Sequence, residues 1–169
     1  MASLLLGAGN SRDKKVALKS APDWSLPLVT LDMGDNCGAD VVWDLEQRPL
    51  PFKDEEFDEL GAYDVLEHIG RQGDWRGYFD EMAEYWRILK PGGIFGILVP
   101  QGCDANADPG HTRFFGSNWF AMLDQQYYER CKAAGTAFTD YRWYWKRNFE
   151  CLTIQDIGGH HVASILRKA

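Results

Sequence analysis

The sequence predicts an α/β fold. Short apolar runs alternate with amphipathic stretches along the 169 residues, as they do where strands and helices alternate. The first apolar run ends in a glycine turn, Gly7-Ala8-Gly9, and the second ends in an acidic residue, Asp32. The length is that of one domain, and no repeat or linker divides it, so we expect residues 1–169 to form a single compact domain.

In the first half of the chain we expect one helix, Ser11 to Ser20, stopped by Pro22. Four strands are expected there, over Ser3–Leu6, Leu28–Met33, Val41–Leu45 and Leu60–Leu66. Only residues 34–40 join the second and third strands, whereas a parallel crossover needs about a dozen residues or more. The third strand is therefore expected to be short.

The second half predicts two helices and three strands. Apolar residues at helical spacing mark a helix from Asp74 to Leu89. The continuous apolar run Ile94–Val99 is typical of a central strand that is buried on both faces. After a loop from Pro100 to Gly116, a helix is expected from Ser117 to about Lys132. Two final runs, Phe149–Ile157 and His161–Leu166, are separated by two glycines and predict an antiparallel hairpin.

Composition disfavours several classes of protein. The net charge of −7 disfavours nucleic acid as a partner, because a domain that binds nucleic acid chiefly through its phosphates has a basic surplus. The four cysteines form no C-x-x-C pair, so we predict neither a metal site nor a disulfide framework. This use of cysteine indicates a reducing compartment. The N-terminal apolar run ends after three leucines and has no basic residue before it. We therefore expect a cytoplasmic protein without a signal peptide or a membrane span.

The glycine turn and the acidic residue indicate a nucleotide site. Gly7 and Gly9 allow a ligand to approach the backbone, and the Asp32 carboxylate can accept both hydroxyls of a ribose. An ordinary strand-turn-helix connection with an incidental aspartate is the alternative. Arg12 stands where a dinucleotide fingerprint has its third glycine, which disfavours NAD.

Four segments, in order, resemble motifs of the class I S-adenosylmethionine-dependent methyltransferase family, of the type 11 kind. These segments are LLLGAGNS at residues 4–11, VVWDL at 41–45 followed by LPFKDEEFD at 50–58, AYDVLEHI at 62–69, and RILKPGG at 87–93. DPGHTRFF at 108–115 is similar to a loop that some members place over the substrate. The resemblance implies a Rossmann-like sheet of strand order 3-2-1-4-5-7-6, with the last strand antiparallel.

The resemblance also implies a donor site for S-adenosylmethionine. Gly7 and Gly9 would lie near the methionine carboxylate, and Asp32 would bind the ribose. Asp44 and the Leu45 backbone would contact the adenine. Ala62, Tyr63 and Asp64 would contact the methionyl part. The sequence departs from the family in two places. Members usually have one or two helices before strand one, but here strand one begins near residue 3. Members also have a helix between strands two and three, and residues 34–40 are too few to form it. We therefore expect a fold that is truncated at the N-terminus.

Residues after the fourth and fifth strands are candidates for catalysis. His68, His111 or Asp64 could take a proton from the acceptor, since histidine changes charge near neutral pH. Arg113 and Glu67 are predicted to bind the substrate. The alternatives are that Glu67 and His68 only order their loop, and that the charges around residue 111 are solvated.

Two groups of aromatic residues have alternative interpretations. Trp119, Phe120, Tyr127 and Tyr128 fit one side of a helix and indicate core rather than a substrate box. The segment Tyr141–Lys146 alternates aromatic and basic residues. It could stack on a ligand, but we favour its covering the surface that the absent N-terminal helices would leave bare.

The sequence therefore predicts methyl transfer to an oxygen or nitrogen atom of a small molecule. No Asn-Pro-Pro-Tyr motif follows strand four, which disfavours methylation of DNA bases. A non-catalytic S-adenosylmethionine-binding subunit that needs a partner is the alternative, and an NAD-dependent enzyme is a third. We also predict a homodimer with Trp143 or Trp145 at its interface.

Overall fold

A seven-stranded sheet forms the centre of the computed structural model, which describes residues 1–169. The strand order is β3-β2-β1-β4-β5-β7-β6. The strands are β1 (Ser3–Leu6), β2 (Leu28–Asp32), β3 (Val41–Val42), β4 (Phe57–Tyr63), β5 (Leu89–Pro100), β6 (Phe149–Ile157) and β7 (His161–Lys168). Neighbours from β3 to β5 are parallel, whereas β7 is antiparallel to both β5 and β6. The predicted order and the antiparallel last strand are confirmed.

Three helices accompany the sheet: α1 (Trp75–Ile88), α2 (Ser117–Ala121) and α3 (Gln125–Ala134). Asp74 caps α1, because its Oδ1 accepts a hydrogen bond of 3.0 Å from the Gly77 amide. Two 3₁₀ turns lie at Leu66–His68 and Asp104–Asn106. None of the helices has both the length and the apolar character that a membrane crossing requires, the longest being the 14-residue α1.

The two faces of the sheet are covered differently. Leu4 and Leu6 of β1 point into a core of 26 buried residues to which α1 and α2 contribute, and Leu5 points the other way. The second face has a cluster of only 5 buried residues, which irregular chain between β1 and β2 covers. The helices thus pack on the face of the sheet that forms the larger core, and a segment without regular structure packs on the opposite face.

The predicted helix over Ser11–Ser20 is wrong, since this stretch is irregular. Val16 and Leu18, two residues apart, both pack on the second face of the sheet, and this spacing does not give a helical stripe. Lys14 holds the stretch in place. Its Nζ lies 2.5 Å from Oε1 of Glu59 on β4 and donates to two carbonyls, those of Ala21 and Asp23.

Several boundaries also differ from the prediction. β4 ends at Tyr63 rather than at Leu66, because Asp64 has a φ of +53° and turns the chain away from the sheet. The helix predicted from Ser117 to Lys132 is two helices, and the side chain of Asp124 caps the second by accepting from the Gln126 amide. β3 is short, as expected, and the hairpin of β6 and β7 is confirmed.

The aromatic segment Tyr141–Lys146 packs on α1. Trp145 is 2% exposed and stacks on Phe79, with ring centroids 5.6 Å apart, while Tyr141 lies against Trp75. The segment therefore covers α1 rather than the surface beside the expected donor pocket, which corrects the favoured interpretation. Phe120 and Tyr128 are fully buried, in keeping with the core interpretation.

Candidate functional site

A cleft of about 530 Å³ opens where β1, β2 and β4 end, within the range of small-molecule pockets. In parallel sheets this edge, at the carboxyl ends of the strands, is where ligands bind. The predicted site residues that line the cleft are Gly7, Asp32, Asp44, Leu45, Asp64 and His68. The sequence analysis did not single out several others, namely Met33, Glu46, Val65, Ile69, Gly70, Arg71 and Thr112. Val65, Ile69 and Thr112 lie within the quoted motif segments, but nothing in those segments indicates which side chains face the cleft.

Gly7 is required at the turn after β1. Its φ is +59°, and a Cβ placed there would lie 2.2 Å from Cγ2 of Val65. The backbone of the turn at Gly7 therefore packs directly against the side chain of Val65, which follows β4, and the two form one wall of the cleft.

Asp32 at the end of β2 is held by two backbone amides. Its Oδ2 accepts from the Gly9 amide and its Oδ1 from the Gly34 amide, both at 2.8 Å. A carboxylate oxygen has room for a second hydrogen bond, so both oxygens can still accept from a ligand. Gly9 does not line the cleft, and it acts on the site by orienting Asp32.

Asp44 follows β3 on the side of the cleft next to Asp32. Its Oδ1 accepts from the Glu46 amide at 2.9 Å, and Oε1 of Glu46 accepts from the Gly70 amide at 2.8 Å. These two bonds connect the loop after β3 to the turn after β4. The acidic lining of Asp32, Asp44 and Asp64 favours a ligand with donor groups or a positive charge.

Ala62 and Tyr63 do not contact the cleft, contrary to prediction. Ala62 is fully buried in the larger core. Tyr63, the next residue of the strand, points to the opposite face, where its hydroxyl donates to the Val16 carbonyl at 3.1 Å. Burial raises the pKa of Tyr63 above its usual range.

Asp64 lines the cleft, but its carboxylate already has partners within the chain. Its Oδ2 accepts a hydrogen bond of 2.8 Å from Nζ of Lys15, and its Oδ1 lies 3.1 Å from Nε2 of His161. Asp64 is therefore less available than His68 to receive a proton from a ligand.

Arg113 cannot bind substrate as predicted, because its side chain is 1% exposed and paired with Glu81 inside the protein. Glu67 is 2% exposed, which also excludes direct contact with a substrate in the cleft. Burial raises the pKa of Glu67 to about 7. His111 does not line the cleft either; it lies behind His68, with 4.7 Å between their ring centroids.

A family model described as a methyltransferase domain matches residues 23–97, the stretch that runs from just before β2 into β5. Together with the strand order, this match supports a class I methyltransferase family. No curated protein sequence matches this chain significantly.

Solved structures share the fold of this chain. The 1,6-didemethyltoxoflavin-N1-methyltransferase of Burkholderia thailandensis, solved with 1,6-didemethyltoxoflavin and S-adenosylhomocysteine, is 16% identical with a TM-score of 0.55. The match covers 99% of this chain and 71% of that one. A S-adenosylmethionine-dependent methyltransferase from Aquifex aeolicus is 11% identical, with a TM-score of 0.56 and coverage of 100% and 82%.

A third likeness is to a complex between the Haloferax volcanii Trm112 methyltransferase activator and a methyltransferase. The identity is 13%, the TM-score is 0.58, and the match covers 99% of this chain and 82% of that one. At these identities the likeness is one of fold.

Proposed function

We propose that residues 1–169 act as one methyltransferase-like domain that binds S-adenosylmethionine in the cleft and transfers its methyl group to a small molecule. The observation that carries the proposal is the Asp32 carboxylate, oriented by Gly9 and Gly34 beside the tight turn at Gly7. A carboxylate fixed in this way at the end of β2 suits the two hydroxyls of a ribose.

The donor fits the remaining lining of the cleft. Asp44 offers an acceptor for the adenine amino group, next to Leu45. The three carboxylates near the mouth of the sheet favour a cationic ligand over a neutral one. S-adenosylmethionine supplies a methyl group on a positively charged sulfur, and the chain's residues bind it and align it with the acceptor.

The proposed acceptor atom is oxygen or nitrogen, with His68 taking its proton. His68 is exposed on the cleft wall, and its Nδ1 faces the Gly110 carbonyl at 3.2 Å. A carbonyl only accepts, so Nδ1 carries the hydrogen and Nε2 is free to receive a proton. The small-molecule substrate of the Burkholderia structure supports an acceptor of that class, and the net charge of −7 disfavours nucleic acid.

The test has two parts. Calorimetric titration with S-adenosylmethionine, S-adenosylhomocysteine and NAD should show binding of the first two only. Mass spectrometry across a panel of metabolites should then find a product that has gained one methyl group. Binding of NAD alone, or of none of the three, would overturn the proposal.

A second candidate function is a donor-binding subunit that needs a partner. The likeness to the complex with a Trm112 activator favours it, as does the sheet face that only irregular chain covers. Tight donor binding without turnover on any acceptor would favour this second function.

The predicted homodimer remains a proposal, and the structure changes its interface. Trp145 is buried in the chain's own core and donates to the Leu123 carbonyl, so it cannot contribute to a dimer. Trp143 is 61% exposed and remains available. Light scattering of the wild type and of Trp143→Ala, at tens of micromolar, tests the proposal; a monomeric wild type contradicts it.

A further inference from the structure

We propose that Glu67, His68 and His111 bind a divalent transition-metal ion at the wall of the cleft. Each residue offers a ligand atom, and these atoms lie within 4.8 Å of one another. Two imidazoles and one carboxylate are a set that binds Zn²⁺ or Fe²⁺ and leaves positions open for another ligand. The sequence predicted no metal site, because none of these residues is a cysteine and His111 is distant along the chain.

Both histidines are held in the form that binds metals. Nδ1 of His111 lies 2.9 Å from the Ala105 carbonyl, and Nδ1 of His68 lies 3.2 Å from the Gly110 carbonyl. Since a carbonyl cannot donate, each Nδ1 carries the hydrogen and each Nε2 has a free lone pair. A backbone carbonyl on the far nitrogen is the outer contact that typically orients a metal-binding histidine.

Glu67 provides an independent sign of a missing ligand. Its side chain is 2% exposed, and its Oε2 is buried without any hydrogen-bond partner. Its Oε1 lies 3.9 Å from Nε2 of His111, too far for a hydrogen bond. Leaving a buried carboxylate oxygen unpaired is costly, and a cation between the two residues would provide the missing partner.

The backbone fixes the two chain segments that carry these ligands. The 3₁₀ turn Leu66–His68 presents Glu67 and His68 from one side. The Glu67 carbonyl accepts from the amides of Thr112 and Arg113, at 2.9 and 3.1 Å, which holds His111 alongside. Thus the three ligands are brought together by main-chain hydrogen bonds rather than by flexible side chains.

Metal binding requires only a small contraction. Ligand atoms around a tetrahedral Zn²⁺ at its usual bond lengths are about 3.4 Å apart. The exposed His68 can rotate to close that gap, since it is the least buried of the three. Because His68 also lines the cleft, an open position on the metal would face a ligand there, and an oxygen of the methyl acceptor is the class that suits it. His68 can take the acceptor's proton only in the metal-free protein, because a bound metal would occupy the lone pair of Nε2. The metal would then activate the acceptor oxygen instead, by lowering the pKa of that oxygen. The site itself does not depend on the donor proposal.

A second group of potential ligands offers a matched control. Cys103, Asp104 and His160 also bring their ligand atoms together, but on the surface, where Nδ1 of His160 is already 2.9 Å from Oδ2 of Asp104. No buried atom in this group lacks a partner. His160 is therefore the histidine whose loss should not matter.

The test titrates Zn²⁺ into chelator-treated protein by calorimetry, without S-adenosylmethionine. We expect one Zn²⁺ per chain, and affinity lower by about 100-fold in His68→Ala and at least about 10-fold in Glu67→Gln. His160→Ala should bind as the wild type does. Co²⁺ should give visible absorption bands in the wild type and His160→Ala but not in His68→Ala.

Two results would overturn the proposal: no stoichiometric binding by the wild type, or loss of binding in His160→Ala with full binding in His68→Ala. His68 is exposed, so His68→Ala should fold; circular dichroism verifies this, and the variant decides the matter even if Glu67→Gln is unstable. Failure of donor binding would leave this result unaffected, which keeps the two proposals separable.

Discussion

Arg113 and Glu81 form an ion pair inside the protein, with Nη2 and Oε2 at 2.6 Å and both side chains 1% exposed. The same Nη2 donates to the Leu66 carbonyl at 3.0 Å. Arg113 thus connects α1 to the turn that carries Glu67 and His68. Arg113, which the sequence predicted to bind substrate, instead holds this turn in place from inside the protein.

Breaking this pair should destabilise the fold strongly. Arg113→Met leaves Glu81 with a buried charge, which typically costs about 3–5 kcal/mol of unfolding free energy. Urea denaturation measures the change. The control is Arg130→Ala, since Arg130 pairs with Asp124 but is 61% exposed, and its loss should cost less than about 1 kcal/mol. Equal losses in the two variants would contradict a structural role for Arg113.

Asp40 should stabilise the fold only above acidic pH. Its Oδ2 accepts from the amide and the hydroxyl of Thr30, and these hydrogen bonds lower the pKa of Asp40 below its ordinary value of 3.8. A carboxyl with a lowered pKa in the folded state adds stability above the unfolded value and loses it as the pH falls. Asp40→Ala should therefore lower the free energy of unfolding at pH 6, by less than about 1 kcal/mol because Asp40 is exposed to solvent, and by less still below about pH 4.

Denaturation of both proteins at several pH values measures this difference. Asp40→Asn keeps a hydrogen-bond acceptor, so at pH 6 its free energy of unfolding should lie between those of the wild type and Asp40→Ala. A difference between wild type and Asp40→Ala that stays constant down to pH 3 would contradict the assignment.

Asp32→Ala should weaken binding of S-adenosylmethionine by roughly 2–3 kcal/mol, the size of a lost charge-assisted pair. Asp32→Asn should lose somewhat less. Asp35→Ala serves as the control, because Asp35 is exposed in the same connection and does not line the cleft. Titration calorimetry gives the affinities; identical curves for Asp32→Ala and Asp35→Ala would remove Asp32 from the donor site.

His68→Ala should lower the rate of methyl transfer by about 10²–10⁴-fold, the usual contribution of a proton-transfer group. Its affinity for S-adenosylmethionine should stay close to that of the wild type. His160→Ala should change neither quantity. Turnover by His68→Ala at the wild-type rate would mean that the chain catalyses by alignment alone or through another base.

The features that the sequence predicted correctly are local ones. A glycine turn after β1 and aspartates at the ends of β2 and β3 follow from single apolar runs and their last residues. The strand order came from the resemblance to a family. What failed depends on contacts between distant segments. No pattern in the sequence around Arg113 predicts its ion pair with Glu81 on α1, and none around His68 predicts its contact with His111.

Two further errors have a simple geometric origin. Ala62 and Tyr63 are consecutive in a strand, so their side chains cannot share one face, and neither faces the cleft at the strand's end. The stretch from Ser11 to Ser20 has the composition of a helix, but Lys14 finds three acceptors in an irregular conformation. Tertiary contacts outweigh a weak local preference.

The uneven distribution of helices affects how the chain can fold during synthesis. Residues 1–63 contain four strands and no helix, and all pairings among these strands are parallel, so none closes as a hairpin. Such a segment has no local element that can persist alone while it emerges from the ribosome. It must wait for α1 and β5, which complete the larger core. The parallel half of the sheet can therefore be completed only after α1 and β5 have been synthesised.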